Sequence, residues 1–220
     1  MARSLSAEEV RQQKIAAMGE ELGTLHYELW NEIAWIHAKW KQYLDLYGGS
    51  PERLQLLNRA APHFFYFLQG ILFDDVLLHL CRLTDPPESR GKQNLTIRRL
   101  REAIDDEEFR GEVRVLIEEA CNKTEFARDR RNRQLAHRDL LTARREHPEP
   151  LAPATRERVE DALEGLRNVM NSLESHFLDS EVAYDLYIDP LGAEALLAHL
   201  KRAEEAYAAE RRGRTRGGDV

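Results

Sequence analysis

The sequence contains few cysteines and no long apolar run. Its two cysteines, Cys81 and Cys121, stand alone within apolar helical patterns and lack the paired spacing of zinc ligands. This excludes a disulfide framework, and both thiols are expected to be reduced core residues. No stretch reaches about 18 consecutive apolar residues, and residues 1–10 contain no apolar secretory segment. These absences predict a cytoplasmic protein with no membrane partner.

The signatures of several enzyme classes are also missing. The chain has no HExxH pattern, no carboxylate cluster with metal-ligand spacing, no glycine-rich phosphate loop and no serine or cysteine nucleophile motif. We therefore expect no metal and no cofactor. The net charge is −7, from 32 basic and 39 acidic residues. This balance argues against a protein that coats nucleic acid with its whole surface.

What the sequence does contain is helical periodicity. It is 42% apolar and 32% charged, with 12 glycines and 8 prolines among 220 residues, a composition typical of a helix-rich protein of one domain. We predict an all-α bundle of about five to seven helices over residues 1–220, with residues 1–6 and 213–220 as disordered tails.

The first helix is predicted to be long, from Ala7 to Tyr47. Side chains recur along it at heptad spacing, which predicts a seam that packs on other helices. The partner helices belong either to the same chain, which we favour, or to another chain. The seam consists of Leu22, His26, Leu29, Ile33, Ile36, Trp40, Tyr43 and Tyr47.

A second helix is predicted over residues 51–83. From Phe64 onward it is apolar nearly all round, which predicts a central helix that is buried on every side. Asp74 and Asp75 interrupt this apolar surface, and a buried carboxylate is costly unless it is paired. We therefore expect one of these two aspartates to pair with Arg131 and to act as a structural support.

The most unusual stretch is the basic segment, residues 128–139. Five arginines and one aspartate give residues 128–138 a formal charge of +4. A block of like charge usually forms a solvated face, and an arginine-rich helix end can be a salt-bridged terminus. This segment differs because it continues an apolar helical face. Any contact with nucleic acid would therefore be local.

Two helical stripes cross the basic segment. The apolar face upstream continues, at about 100° per residue, into Arg131. An arginine in register with a core face must find a carboxylate, extend to solvent or face a second subunit. A second stripe, about 120° away, ends at His137. Either the helix is distorted here or both stripes border one cleft.

The pair Arg131-Asn132, followed after four residues by His137, resembles the signature of HEPN domains. Its context, Arg-Asn-Arg-Gln-Leu-Ala-His-Arg-Asp, is most similar to the abortive-infection U-type (AbiU-like) branch. A more diffuse similarity lies in Phe-Asp-Asp-Val-Leu-Leu-His-Leu-Cys-Arg-Leu-Thr-Asp-Pro at 73–86 and in Gly-Lys-Gln-Asn-Leu-Thr-Ile at 91–97. The resemblance covers roughly residues 20–180 and implies a HEPN-like helical bundle.

The resemblance also implies an activity: metal-independent cleavage of RNA by a homodimer whose two motifs share one cleft. On that reading His137 is the acid/base or orienting residue, Arg131 binds the scissile phosphate, and Asn132 holds the substrate or the motif's geometry. A histidine titrates in the useful range and guanidinium groups stabilise charge on phosphoryl oxygens. We further expect Arg130, Arg133 and Arg138 to bind RNA. For Arg130 and Arg133, contact with flanking phosphates is inferred from helix geometry and not from the resemblance.

Three functional hypotheses follow. The first is a HEPN-type endoribonuclease, as an antiphage or toxin-like effector with an antitoxin or regulatory protein as a further partner. The second is a non-catalytic HEPN module that dimerises or binds RNA, nucleotide or a protein. The third is a helical scaffold, which predicts Arg131 paired with an internal carboxylate, His137 pointing away, and an open apolar strip on residues 22–47.

Overall fold

The computed structural model describes residues 5–136, 138–186 and 189–216, with side chains described up to residue 212. Its regular structure is almost entirely helical, which confirms the all-α prediction. The α-helices are α1 (Ala7–Met18), α2 (Glu20–Tyr47), α3 (Pro51–Ala60), α4 (Pro62–Thr84), α5 (Glu107–Lys123), α6 (Glu125–Arg130), α7 (Leu140–Arg144), α8 (Arg156–Leu178) and α9 (Ala193–Arg216).

Shorter elements connect these helices. The loop after α4 contains a short hairpin of two strands of two residues each, β1 (Glu88–Ser89) and β2 (Lys92–Gln93), and Ile97–Ala103 forms a 3-10 helix. Arg90 and Gly91 join the two strands with φ of +52° and +75°, as a type I′ turn requires. At the other end of the chain, α9 runs four residues into the segment that was predicted to be a disordered tail.

The predicted first helix, residues 7–47, is instead two helices divided at Gly19. Gly19 has φ +84° and ψ 166°, a conformation that residues with side chains rarely adopt, and α1 turns back there along α2. Gly23 allows the close approach, since a Cβ at this position would lie 2.6 Å from the Cα of Ile15. The heptad pattern does not reveal the turn because it begins at Leu22, beyond the break.

The heptad seam of α2 packs within the chain, as we favoured. Its side chains are buried from the first turn onward, and Tyr43 and Tyr47 are partly buried. The open apolar strip that the scaffold hypothesis requires on residues 22–47 is therefore not found on this seam. The buried members are Leu22, His26, Leu29, Ile33, Ile36 and Trp40.

The chain divides into two compact units. The first comprises residues 1–37 and 74–184. Within it α5 packs on α8, and Gly165 of α8 lies so close to α5 that an added Cβ would be 3.1 Å from the Cα of Ala120. An apolar stripe of α8 with three- and four-residue spacing faces this core, with Val159, Leu163, Leu166, Val169, Met170 and Leu173 buried.

The first unit also buries charge. Lys14 of α1 forms an ion pair with Glu174 of α8, and both side chains are almost fully buried. The imidazole of His26 lies beside this pair, with its Nε2 3.7 Å from Oε1 of Glu174. Burial first and the charge of Lys14 second lower the pKa of His26 to about 3, despite an opposing backbone contact with Met170. His26 is therefore neutral in the folded protein.

The second unit comprises residues 38–73 and 185–220, of which 187–188 and 217–220 lie outside the described residues. Its core consists of Leu46, Leu56, Leu57, Phe65, Ala193 and Leu197. Arg59 of α3 donates to both carboxylate oxygens of Glu204 in α9, at 2.6 and 2.7 Å. The Oε1 of Gln42 accepts from the N–H of Ala193 at 2.6 Å, which satisfies a donor in the first turn of α9.

The helix predicted to be buried on every side is exposed in its first half. Pro62 starts α4 as a separate helix, and Phe64, Tyr66, Phe67 and Ile71 are 60–74% exposed. Only its second half, from Val76 onward, is mostly buried. Among the described residues α4 is also the one helix long and apolar enough to cross a membrane. Length and composition alone do not distinguish such a helix from a core helix, and 33% of its most apolar window is buried.

Candidate functional site

The basic segment follows a break in the helix that leads to it. α5 ends at Lys123, and Thr124 separates it from α6. The buried hydroxyl of Thr124 donates to the carbonyl of Cys121 at 2.8 Å, and a bond of this kind bends helices because it competes with their backbone hydrogen bonds. A new helical segment therefore begins at Glu125 and carries the arginines.

Residues Arg131–Leu135 form a π-helical turn. The N–H of Ala136 donates to the carbonyl of Arg131 at 2.8 Å, five residues earlier rather than four. Such turns are rare and often occur at functional sites. The sequence left open whether the helix is distorted here, and the structure shows that it is. The angle of an ideal helix between Arg131 and position 137 therefore does not apply.

Asp85 holds two arginines of the basic segment. Nη1 of Arg131 lies 2.8 Å from both carboxylate oxygens of Asp85, and Nη1 of Arg128 lies 2.6 Å from Oδ1. The three side chains are only 17–25% exposed. One carboxylate is thus shared by two guanidinium groups, and the cluster keeps a net positive charge.

The prediction that Asp74 or Asp75 pairs with Arg131 is wrong, because the carboxylate that meets Arg131 is Asp85. Asp75 lies ten residues before Asp85, about 15 Å along the axis of a helix. Arg131 approaches the C-terminal end of α4 rather than its middle. The sequence pattern indicates that a carboxylate is needed but does not give the register between the two helices.

Arg128 also caps the end of α4. Its Nη2 donates to the carbonyl and the hydroxyl oxygen of Thr84, both at 3.1 Å, and Nε of Arg98 donates to the same carbonyl at 2.9 Å. Thr96 donates to the carbonyl of Leu83 at 2.9 Å. The last carbonyls of a helix lack partners within it and carry partial negative charge, so cationic donors are favoured there.

The pKa of Arg128 reflects both sides of this environment. Burial lowers it, but the hydrogen bond and the charge of Asp85 outweigh burial, so the pKa lies above its ordinary value. The neighbouring thiol of Cys81 is shifted in the unreactive direction, because burial raises its pKa to about 11 although Arg131 and Arg128 oppose the rise. Cys81 is therefore protonated and is no nucleophile at neutral pH.

Three separate parts of the sequence thus meet at one place. Thr84 and Asp85 come from the segment 73–86, Thr96 from the segment 91–97, and Arg131 from the basic segment. The family model described as AbiU2, a HEPN family, matches residues 19–196. The chain belongs to the HEPN family AbiU2. No curated protein and no solved structure matches the chain.

The structure describes the first half of the HEPN motif, Arg131 and Asn132. Nε of Arg131 donates to Oδ1 of Asn132 at 3.2 Å, so the two motif residues are in contact and Asn132 is exposed. His137 lies outside the described residues, and its role as acid/base or orienting residue stays a prediction. The roles of Arg131 and Asn132 toward RNA also stay predictions.

The remaining predicted site residues differ in environment. Arg138 is exposed, whereas Arg130 is partly buried and its Nε makes no hydrogen bond to a described residue. Burial raises the pKa of Asp74, and the charge of Arg130 opposes that rise. Asp75 is partly buried.

Arg133 anchors the following loop. It donates to Oγ1 of Thr142 at 3.2 Å, to both oxygens of Asp129 at 3.3 Å, and to the carbonyl of Glu149 at 2.8 Å. Its side chain is only 14% exposed. The predicted contact of Arg133 with a flanking phosphate would compete with these bonds.

Beside this loop lies a pocket of about 540 Å³ with mixed charge. Its lining includes Phe126 and Asp129 of α6, Arg133 of the π-helical turn, and Glu149 and Arg158. Arg158 lies over the ring of Phe126, 5.8 Å from its centroid. Among the residues that the structure describes, no group of three or more histidine, cysteine or carboxylate side chains is arranged to hold a metal ion.

Sequence reasoning missed Asp85, Thr84, Arg98 and Arg128 as parts of the site. The available signal was the end of α4, where Asp85 precedes two prolines that cannot continue the helix. A helix end that lies within the protein interior needs hydrogen-bond partners for its last carbonyls, and nearby arginines are suitable donors. That reasoning indicates which kind of residue is required, but it does not identify Arg128.

Proposed function

We propose that this chain is a metal-independent endoribonuclease that acts as a homodimer in the cytoplasm. The observation that carries the proposal is the shared carboxylate: Asp85 fixes Arg131, the first residue of the HEPN motif, beside a distorted helical turn. The match to the AbiU2 family supports a HEPN-type module. An abortive-infection or toxin-like role, with an antitoxin as a partner, is part of the same proposal.

The chemistry assigns one task to each motif residue. The 2′-hydroxyl must lose a proton before it attacks the phosphorus, and the leaving 5′-oxygen must gain one. His137 of one subunit serves one of these proton transfers, and the same residue of the second subunit serves the other. Arg131 contributes positive charge to the phosphorane, where pre-positioned donors stabilise developing charge most effectively.

Asp85 sets the position of Arg131 in this scheme. It leaves Nη2 of Arg131 without a described protein partner, while Nη1 is held between the two carboxylate oxygens. Arg131 is about one quarter exposed, so an RNA phosphate can approach its guanidinium group from solvent. Asn132 is exposed and accepts from Nε of Arg131, so it lies beside this approach.

A second candidate function is a non-catalytic HEPN module. The observation in its favour is the same ion pair, since an arginine already paired with Asp85 can serve architecture alone. Fold does not determine activity. In this case RNA, a nucleotide or a protein would bind near the basic segment without being cleaved.

The deciding experiment compares purified wild type, His137→Ala and Arg131→Ala with labelled single-stranded RNA in EDTA. His199→Ala is the matched control, because His199 is exposed on α9. We expect cleavage that leaves 2′,3′-cyclic phosphate ends, a loss of roughly 100-fold or more in the two motif variants, and no loss in the control. Equal rates in all four proteins would refute catalysis by the motif and favour the binding module.

A further inference from the structure

The first half of α4 presents one apolar face to solvent. Phe64, Tyr66, Phe67 and Ile71 are 60%, 74%, 65% and 64% exposed, and we call this surface the Phe64 face. The opposite side of the same half-helix packs into the core of its unit through Phe65. The helix is therefore apolar on both sides, and only one side is covered by described residues.

The Phe64 face is large enough to form the centre of a stable interface. An aromatic side chain buries about 150–250 Å², so four side chains that are about two-thirds exposed offer roughly 500 Å². The largest apolar patch of a typical monomer is about 300–600 Å² and is often functional. A stable protein interface buries about 800 Å² on each partner, of which this face supplies more than half.

We propose that the Phe64 face binds the same face of a second copy of this chain across a two-fold axis. Two copies with a net charge of −7 repel each other over most of their surface. Residues 62–73 contain no aspartate, glutamate, lysine or arginine, so two copies of this face meet without like-charge contacts. An interface around a two-fold axis pairs a patch with itself, which apolar side chains satisfy.

Gly70, beside Ile71, supports a close helix–helix approach at this face. It is exposed, and a Cβ added there would meet nothing within 4 Å. Small residues at helix contacts allow backbones to approach, as Gly23 does between α1 and α2. The inference rests on the two-fold assembly that the proposed function requires, but not on ribonuclease activity.

The first test measures self-association of the full chain by sedimentation equilibrium. We expect a wild-type dimer, and for Phe67→Glu a dissociation constant raised about 100-fold or more, because each protomer loses a buried aromatic side chain. Tyr207→Glu is the matched control, since Tyr207 is an exposed aromatic residue of α9, and it should dimerise like wild type. Circular dichroism confirms that each variant is folded.

The second test checks the self-pairing. Phe67→Glu and Phe67→Lys should each be monomeric and should form a dimer when mixed, because opposite charges then meet across the axis. A monomeric wild type that floats with phosphatidylcholine vesicles would overturn the proposal in favour of a membrane surface, and a Phe67→Glu dimer as tight as wild type would overturn it in favour of another face. A wild-type dimer that fails to cleave RNA would refute only the proposed activity.

Discussion

Arg131 meets both carboxylate oxygens of Asp85 at 2.8 Å, although 46 residues separate them in the chain. The same carboxylate lies 2.6 Å from Arg128. Asp85 therefore joins the end of α4 to α6 and to the π-helical turn in which the motif begins. The positions of the first motif residue and of the core helix are fixed by one side chain.

Replacement of Asp85 by asparagine should reduce stability and loosen Arg131. Two partly buried guanidinium groups would lose their anion, and a charged group left without its partner costs about 1–3 kcal/mol. Urea unfolding measures the change in the free energy of unfolding. Glu160→Gln is the control, because its pair with Arg156 is largely exposed and should contribute less than about 1 kcal/mol. Equal effects of the two variants would contradict the role of Asp85.

Replacement of Arg133 by glutamine should release the loop after the motif. The variant loses its bonds to Asp129, Thr142 and the carbonyl of Glu149, so amide hydrogen exchange over residues 140–152 should become faster. Arg138→Gln is the matched control, since Arg138 is exposed, and it should leave the exchange unchanged. Unchanged exchange in the Arg133 variant would show that the loop is held by other contacts.

Replacement by alanine should have opposite effects on stability at Gly23, where α1 packs on α2, and at Gly111, which lies in the open on α5. Gly23→Ala places a Cβ 2.6 Å from the backbone of Ile15, and such overpacking typically costs about 1–3 kcal/mol. Gly111→Ala, within α5 and with nothing within 4 Å of the added Cβ, should stabilise by about 0.5–1 kcal/mol. Thermal unfolding of both variants gives the comparison. A neutral Gly23→Ala would mean that α1 does not pack this closely.

The buried His26 predicts a loss of stability on mild acidification. Its pKa in the folded protein is about 3, because burial and Lys14 disfavour the charged form, whereas the ordinary value is about 6.5. Below about pH 6.5 His26 therefore binds a proton in the unfolded chain, whereas in the folded chain it stays neutral down to about pH 3. From pH 7.5 to 5.5 this should reduce stability by about 1.4 kcal/mol.

A His26→Gln variant isolates this contribution from that of the carboxylates. Between pH 7.5 and 5.5 the free energy of unfolding should fall less in this variant than in the wild type. The difference between the two decreases should be about 1.4 kcal/mol. His199→Gln, which removes an exposed histidine, should keep the wild-type pH dependence. Parallel pH curves for wild type and His26→Gln would refute the neutral buried histidine.

The sequence predicts the helical class and the family well. Heptad and three-to-four spacing report which face of a helix is apolar, and the buried seam of α2 and the stripe of α8 agree with that reading. The family resemblance over roughly residues 20–180 is confirmed by the match to residues 19–196. Such patterns can be recognised in the sequence because every residue that forms one helical face lies within the same helix.

The same patterns do not predict contacts between distant segments. The partner of Arg131 depends on how far one helix slides along another, and periodicity leaves that register undetermined. The break at Gly19 depends on the backbone conformation of one residue. Whether Phe64 and Tyr66 are covered by the same chain or by a second copy also cannot be read from their apolar character. An apolar side chain that binds a second copy looks like a core side chain in a single sequence.

The π-helical turn at Arg131–Leu135 makes the HEPN motif sensitive to length as well as to composition. Such a turn contains one more residue between hydrogen-bonded groups than an α-helical turn. Deletion of one residue in this stretch would leave the charged groups elsewhere in the motif intact and allow regular α-helical bonding. Such a deletion would separate the requirement for this turn from the requirement for its charges, because the shortened chain keeps its arginines and lacks the turn.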